Sequence, residues 1–202
     1  VGGRTPGAAP PDSAHIDEEG VLIDNFKLVD RGIYREAEMI EVLESALYPA
    51  RNAAQNIADL RAQLAANEKG VQELQKMVSQ FGLETVLAYM THVQNNAEES
   101  VRRVIDVLSD GEFTYPMDNG QHVKVKISID RERRAATVDF TGTSPQGANN
   151  FNAPAAVCRA AVLYVFRTLV DDDIPMNEGC LKPITIILPE DCMLQAQYPA
   201  AV

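Results

Sequence analysis

Apolar residues in the first half of the chain recur every three to four positions. Met39, Ile40, Leu43, Ala46 and Leu47 predict a short helix from about Tyr34 that Pro49 stops or bends. Residues 51–80 set Ile57, Leu60, Leu64, Val71, Leu74, Met77 and Val78 on one side. Arg61, Gln63, Glu68, Gln72 and Lys76 mostly take the other, which predicts a long amphipathic helix. Gly70 falls in its middle, and a glycine inside a helix costs about 1 kcal/mol relative to alanine, so a kink or break is expected there. Phe81-Gly82 reads as its end. A third helix is expected over 83–108, with Val86, Leu87, Met90, Val93, Ala97, Val101, Val104, Ile105 and Leu108 on its apolar side and Ser109-Asp110-Gly111 closing it.

Past Gly111 the period changes to two. Val123, Val125, Ile127 and Ile129 alternate with Lys124, Lys126 and Ser128, as in a half-buried strand, and Asp118-Asn119-Gly120 ahead of it is a hairpin turn behind 113–117. A charged turn, 130–134, leads to the next strand at 136–141, which makes an antiparallel meander. A polar loop, 142–152, then feeds an apolar helix over 153–170 that is expected to be buried nearly all round. Asn152 is expected to cap that helix, with Pro154 in its first turn. A last strand is expected over 184–188 between Pro183 and Pro189, and the opening residues 1–11 read as a loop feeding a short strand at Val21-Leu22-Ile23. The fold class is therefore α+β: long antiparallel helices inserted in, or packed beside, a mixed and partly antiparallel sheet with a buried helix. Three regions follow: 1–33 and 111–202 as parts of an α/β body, and 34–110 as a helical subdomain.

Composition narrows the function classes. At 46% hydrophobic residues the chain of 202 can bury a core, while a net charge of −11 excludes a phosphate-backbone footprint and with it nucleic acid. No stretch has the roughly 18 consecutive apolar residues of a membrane span and no signal peptide opens the chain, so no membrane and a cytoplasmic location are expected. Cys158, Cys180 and Cys192 fit neither a zinc nor a redox spacing and read as buried thiols. The chain starts at Val1 and stops on Ala200-Ala201-Val202, so both ends are expected to be cuts within a longer polypeptide.

Candidate chemistry concentrates in the loop 142–152. Thr143, Ser144 and Gln146 sit between a strand and a helix start, where small hydroxyls and backbone N–H groups can receive an anion or a polar ligand. Ser144 does not sit in a nucleophile elbow, because two residues rather than one separate it from Gly147. Asn149, Asn150 and Asn152 can brace the loop or shape a pocket for an amide, since a carboxamide both donates and accepts. No metal site is expected: His15, His92 and His122 stand far apart and read as surface or boundary residues, and Asp171-Asp172-Asp173 lacks the spacing of a calcium loop. No glycine-rich loop with Lys marks an ATP site.

Six segments taken in order resemble the hydantoinase B/oxoprolinase family. They are Val1-Gly2-Gly3 with Thr5-Pro6-Gly7; Glu18-Glu19-Gly20-Val21; the run from Asn56 to Gln63; Asp139-Phe140-Thr141-Gly142-Thr143-Ser144; Asn150-Phe151-Asn152-Ala153-Pro154; and the run from Asn177 to Ile184. The resemblance implies an internal piece of the ring-opening B subunit of an ATP-dependent hydrolase of cyclic amides such as 5-oxoproline or hydantoins, inactive by itself. An A-type subunit or domain, carrying ATP and Mg, is implied as the partner that phosphorylates the amide oxygen, in a homo- or hetero-oligomer. Family members are rich in His and Asp just ahead of the position of Gly2-Gly3, so the catalytic cluster, and any metal, are expected upstream of Val1, and the catalytic residues are unknown. Two alternatives stand beside this reading: the large subunit of an ATP-dependent ketone carboxylase, and a helical assembly module without activity of its own.

Overall fold

The computed structural model describes residues 1–6, 10 and 12–202; Gly7, Ala8, Ala9 and Pro11, which belong to the expected opening loop, lie outside the described residues. By packing, these residues form two compact units. The first takes in 1–77, 147–152 and 197–202, and the second 78–146 and 153–196. These limits differ from those at which the sequence period changes.

In the first unit the expected strand at Val21-Leu22-Ile23 does not form. Val21 N–H binds the Val1 carbonyl at 2.8 Å, and Leu22 and Ile23 are exposed, so the apolar run has neither a ladder partner nor a core to face. The strands lie later, as a small antiparallel hairpin of β1 (Val29–Asp30) and β2 (Ile33–Tyr34). Arg31 and Gly32 both have positive φ there, 49° and 81°, the two-residue turn whose twist suits a hairpin. Helix α1 (Glu36–Glu44) buries Met39 and Leu43 one turn apart, and these pack with Ile57 of α2 (Ala53–Phe81) as the core of this unit.

Helix α2 runs unbroken through Gly70 for 29 residues, against the expected kink. Nothing approaches within 4 Å of where a Gly70 side chain would start, so no packing force bends the helix there. The Lys69–Glu73 ion pair spans the position at 2.6 Å, and Glu68 and Gln72 bond alongside. Such i,i+4 pairs offset part of the glycine's propensity cost. Its apolar stripe is partly open to solvent: Val71, Leu74 and Met77 are exposed, Leu60, Leu64 and Val78 half-buried and Ile57 buried.

Gly2 and Gly3 lie against the turn before α2. A Cβ on Gly2 would stand 2.3 Å from the Tyr48 carbonyl, with φ at +89°, so no other residue fits without moving the backbone. Arg51 donates to the carbonyls of Gly2 and Gly3 and ties the two segments together.

In the second unit α3 (Leu83–Val107) follows the expected span closely. It buries Ala97, Val101 and Ile105 on one stripe. Four strands make a mixed sheet in the order β3 (Gly111–Pro116), β4 (His122–Asp130), β5 (Ala135–Asp139) and β6 (Ile184–Ile187). The first three run antiparallel and β6 lies parallel to β5. Register places Val125 opposite Phe113, Ile127 opposite Val138 and Ala136 opposite Ile184, so one face of the sheet is apolar from β3 to β6. The alternate positions carry Lys124, Lys126, Ser128, Thr137 and Asp139. From β4 to β6 that apolar face meets α3 and α4 (Ala155–Thr168) in one core, while Phe113 and Tyr115 of β3 stay exposed.

Two expectations about α4 are corrected. It is not buried all round: Cys158, Val162 and Phe166, spaced four apart, face the core, while Val157, Tyr164, Val165 and Leu169 are exposed. Nor does Asn152 cap it. Pro154 occupies the cap position with ψ 151°, because the Asn152 side chain is engaged elsewhere.

The charged turn 130–134 is fastened to the end of α3. Arg134 pairs with Glu99 at 3.0 Å and Asp106 at 2.7 Å, and Arg102 donates to the carbonyls of Arg133 and Arg134. Arg134 hydrogen bonding holds both carboxyls below their ordinary range. At the other end, the 3-10 turn Glu178–Leu181 sits so close to α3 that a Cβ on Gly179 would stand 2.1 Å from the Gln94 carbonyl.

Candidate functional site

The loop after β5 is built from the backbone outward. Thr141 N–H binds the Asp139 carboxylate at 2.8 Å, Gly142 turns the chain at φ +93°, and Thr143 N–H closes the turn on the Phe140 carbonyl at 3.0 Å. These bonds to Thr141 lower the Asp139 carboxyl below its usual range. The chain then runs alongside the start of β4, which fixes where the two hydroxyls go. Thr143 Oγ1 accepts from Lys124 N–H at 3.1 Å and donates to the Lys124 carbonyl at 3.0 Å, replacing a strand residue with a side chain. Ser144 Oγ accepts from His122 N–H at 2.9 Å, and Ser144 N–H returns a bond to the His122 carbonyl at 3.0 Å.

His122, read from sequence as a boundary residue, is brought onto this loop. Its Nδ1 lies 3.0 Å from Ser144 Oγ and its Nε2 2.8 Å from the Gly142 carbonyl. No spacing signal links the two residues, because they meet 22 positions apart through strand register. Both hydroxyl residues are buried and saturated with bonds. Pro145 then bridges to Cys192, and Gln146 N–H reaches the Asp191 carbonyl at 2.8 Å, leaving Gln146 half-buried.

Thr143, Ser144 and Gln146 therefore belong to the second unit, whereas Asn149, Asn150 and Asn152 belong to the first. Within the first, Asn152 is the organiser. Its Oδ1 accepts from Gly147 N–H at 2.9 Å, and its Nδ2 donates to the carbonyls of Gly147 at 3.0 Å, Asn149 at 2.7 Å and Ala201 at 3.0 Å. Asn149 Oδ1 accepts from Phe151 N–H at 2.9 Å in a local turn. Asn149 and Asn150 are half-buried and Asn152 is buried.

His15 is exposed and pairs through its backbone with Ala200, and His92 stands edge-on to Tyr89 at 6.1 Å. Among the described residues no three His, Cys, Asp or Glu side chains converge as a metal site, so the residues present do not fit a metal held by this chain alone. Also among the described residues, no helix is long and apolar enough to cross a membrane. Cys158 is buried, which pushes its thiol up to about 11, with Cys192 nearby adding to the shift.

The second unit also has an open groove of about 410 Å³ between β4 and α4, walled by Val123, Val125, Ile127, Val157, Ala161 and Val165. Every wall residue is apolar, so the groove offers no partner for the N–H and C=O of an amide, whose burial without hydrogen bonds is costly. The loop is the better place to seek polar recognition.

Comparison with known proteins is consistent along the whole chain. The sequence model of the family described as hydantoinase B/oxoprolinase matches residues 1–202. The chain is 39% identical to 5-oxoprolinase 1 of Arabidopsis thaliana and 37% identical to 5-oxoprolinase of Dictyostelium discoideum, in each case over all of its own length. It spans only 18% and 16% of those two proteins. Among solved structures, it resembles the ATP-dependent caprolactamase from Pseudomonas jessenii with TM-score 0.79 and 24% identity, covering 99% of this chain and 35% of that one. It also resembles acetone carboxylase in its nucleotide-free form, with TM-score 0.78 and 13% identity, covering 100% of this chain and 29% of that one. At these identities the two structures show a shared fold.

Proposed function

This chain belongs to the hydantoinase B/oxoprolinase family, and we propose that it forms part of the ring-opening half of an ATP-dependent cyclic amide hydrolase, with 5-oxoproline as the favoured substrate. The observation that carries the reading is identity of 37–39% to 5-oxoprolinases across all of this chain. The alternative of a ketone carboxylase is favoured only by fold, and the caprolactamase shares that fold equally well.

The chemistry needs activation because an amide is a poor electrophile. In the proposed sequence, a partner A-type subunit or domain transfers the γ-phosphoryl group of ATP to the lactam oxygen, leaving ADP. One water adds to the carbon, the ring C–N bond breaks as the nitrogen takes a proton, and a second water releases phosphate from the acyl phosphate. Charge develops on oxygen during water addition, so oriented N–H dipoles are the useful contribution of a loop such as 142–152. Thr143, Ser144 and Asn152, proposed from sequence as ligand contacts, have their polar atoms engaged with backbone and serve the loop's shape. Gln146, Asn149 and Asn150 are less buried, and each is a candidate to touch a cyclic amide. Among the described residues no three His, Cys, Asp or Glu side chains converge, which supports assigning any metal ligands and the general base to residues outside this chain.

The test is turnover by the full-length protein with its A-type partner. Supplied with 5-oxoproline, ATP and Mg, it should form glutamate and ADP in equal amounts. ATP consumption coupled to bicarbonate and a ketone, with no ring opening, would replace this reading with the carboxylase.

A further inference from the structure

We infer that His122, with its Nε2 donating to the Gly142 carbonyl, is a positioning residue that sets the turn 142–144 and hence the approach to Gln146. The inference rests on the proposed role of that loop in meeting the amide. The tautomer follows from the partner at each end of the ring. Nε2 lies 2.8 Å from the Gly142 carbonyl, which can only accept, so Nε2 must carry the hydrogen. In the neutral ring Nδ1 is then bare, and at 3.0 Å it takes the Ser144 O–H. Two further bonds join the same residues, His122 N–H to the Ser144 side chain Oγ at 2.9 Å and Ser144 N–H to the His122 carbonyl at 3.0 Å. One imidazole thus clasps both ends of the turn, of which Gly142 needs φ +93°.

The same bonds argue against a nucleophilic Ser144 with His122 as its base. The hydroxyl is buried, its oxygen already accepts a backbone N–H, and the far nitrogen of the ring is held by a neutral carbonyl rather than a carboxylate that would stabilise an imidazolium. Lys124 reinforces the restraint. Its side chain would stand 3.0 Å from a Cβ placed on Gly142, and its ammonium is drawn to Glu112 at 2.8 Å.

Nitrogen NMR of the full-length protein with labelled histidine tests the tautomer directly, and through-bond correlation of the ring to the His122 backbone assigns the signal in the unaltered protein. A protonated Nε2 is expected; a ring whose only proton sits on Nδ1 overturns the inference. In turnover assays His122→Gln and Ser144→Ala should each raise KM for 5-oxoproline about tenfold with kcat nearly unchanged, as loss of one buried hydrogen bond predicts. The double variant should lose less than the two single losses combined, because both remove the link between His122 Nδ1 and Ser144 Oγ. Additive losses, or a collapse of kcat with KM unchanged, would refute positioning. The NMR measurement uses the unaltered protein and needs no substrate, so it decides the tautomer even if a variant fails to fold or the substrate is another amide.

Discussion

Asn152 is the most informative side chain to perturb, because one carboxamide gathers backbone groups from three separate residues. Its Oδ1 takes the Gly147 N–H, and its two Nδ2 hydrogens serve the carbonyls of Gly147, Asn149 and Ala201, so one hydrogen is shared. The residue is 5% exposed, so water cannot simply take the place of the amide. Each such bond is worth about 1 kcal/mol net, and stranding buried partners adds to the loss, so Asn152→Ala should cost about 2–4 kcal/mol. For a domain of this size a 3 kcal/mol loss lowers the thermal midpoint by about 6–12 °C. Asn152→Asp separates orientation from mere size. The aspartate can still accept from Gly147 N–H, but its second oxygen would face three carbonyls. At pH 7 it should therefore be less stable than the alanine variant. A carboxyl opposed by carbonyls has a folded pKa above its unfolded value of about 3.9. Its penalty is therefore absent below that pH and grows as the pH rises through the folded value. Thermal unfolding of the three proteins, each variant compared with the native one at the same pH, reads the effect, with hydrogen exchange over 147–152 as a local check. An aspartate variant as stable as the native protein at pH 7 would refute the orientation of the amide and the organising role given to it.

Three further outcomes follow from the packing. Gly179→Ala places a methyl carbon 2.1 Å from the Gln94 carbonyl, backbone against backbone, and should destabilise by about 3 kcal/mol or more; urea unfolding would contradict this close approach if the midpoint did not move. Because hydrogen bonding from Arg134 lowers the Glu99 and Asp106 carboxyls, their contribution to stability is present above their unfolded values, near 4.5 and 3.8, and lost as pH falls through the lower folded ones. Arg134→Gln should therefore weaken the acid dependence of the unfolding midpoint, and an unchanged pH profile would remove the ion cluster from the account. Leu74 is 46% exposed on α2, so Leu74→Glu should leave circular dichroism and thermal midpoint intact; loss of A-type partner binding in a pull-down would support an assembly role for this helix, and unaltered binding would count against it.

What the sequence determined by itself was the long periodic elements, which depend on neighbours a few residues away. The three-to-four spacing of Ala97, Val101 and Ile105 foretold α3, and alternation from Val123 to Ile129 foretold β4. Asp118-Asn119-Gly120 marked the hairpin turn, where Gly120 takes φ +84°. The loop carrying the candidate residues was legible too, since so many small and amide side chains cannot form a core strand or helix. The partners of those side chains lay beyond the reach of local pattern. Asn152 looked like a helix cap because a cap is the nearest use for such a residue, but the Ala201 carbonyl, 49 positions away, lies within its reach. His122 and Ser144 meet only because β4 lies beside the loop that leaves β5. Burial was also decided in three dimensions. An apolar stripe states that a surface would gain from being covered, not that anything covers it, so α4 buries one stripe of four-residue spacing and leaves Val157 and Val165 bordering an open groove. Gly70 shows the converse: a weak local preference for breaking a helix yields where the surrounding turns are intact and nothing presses on the bend.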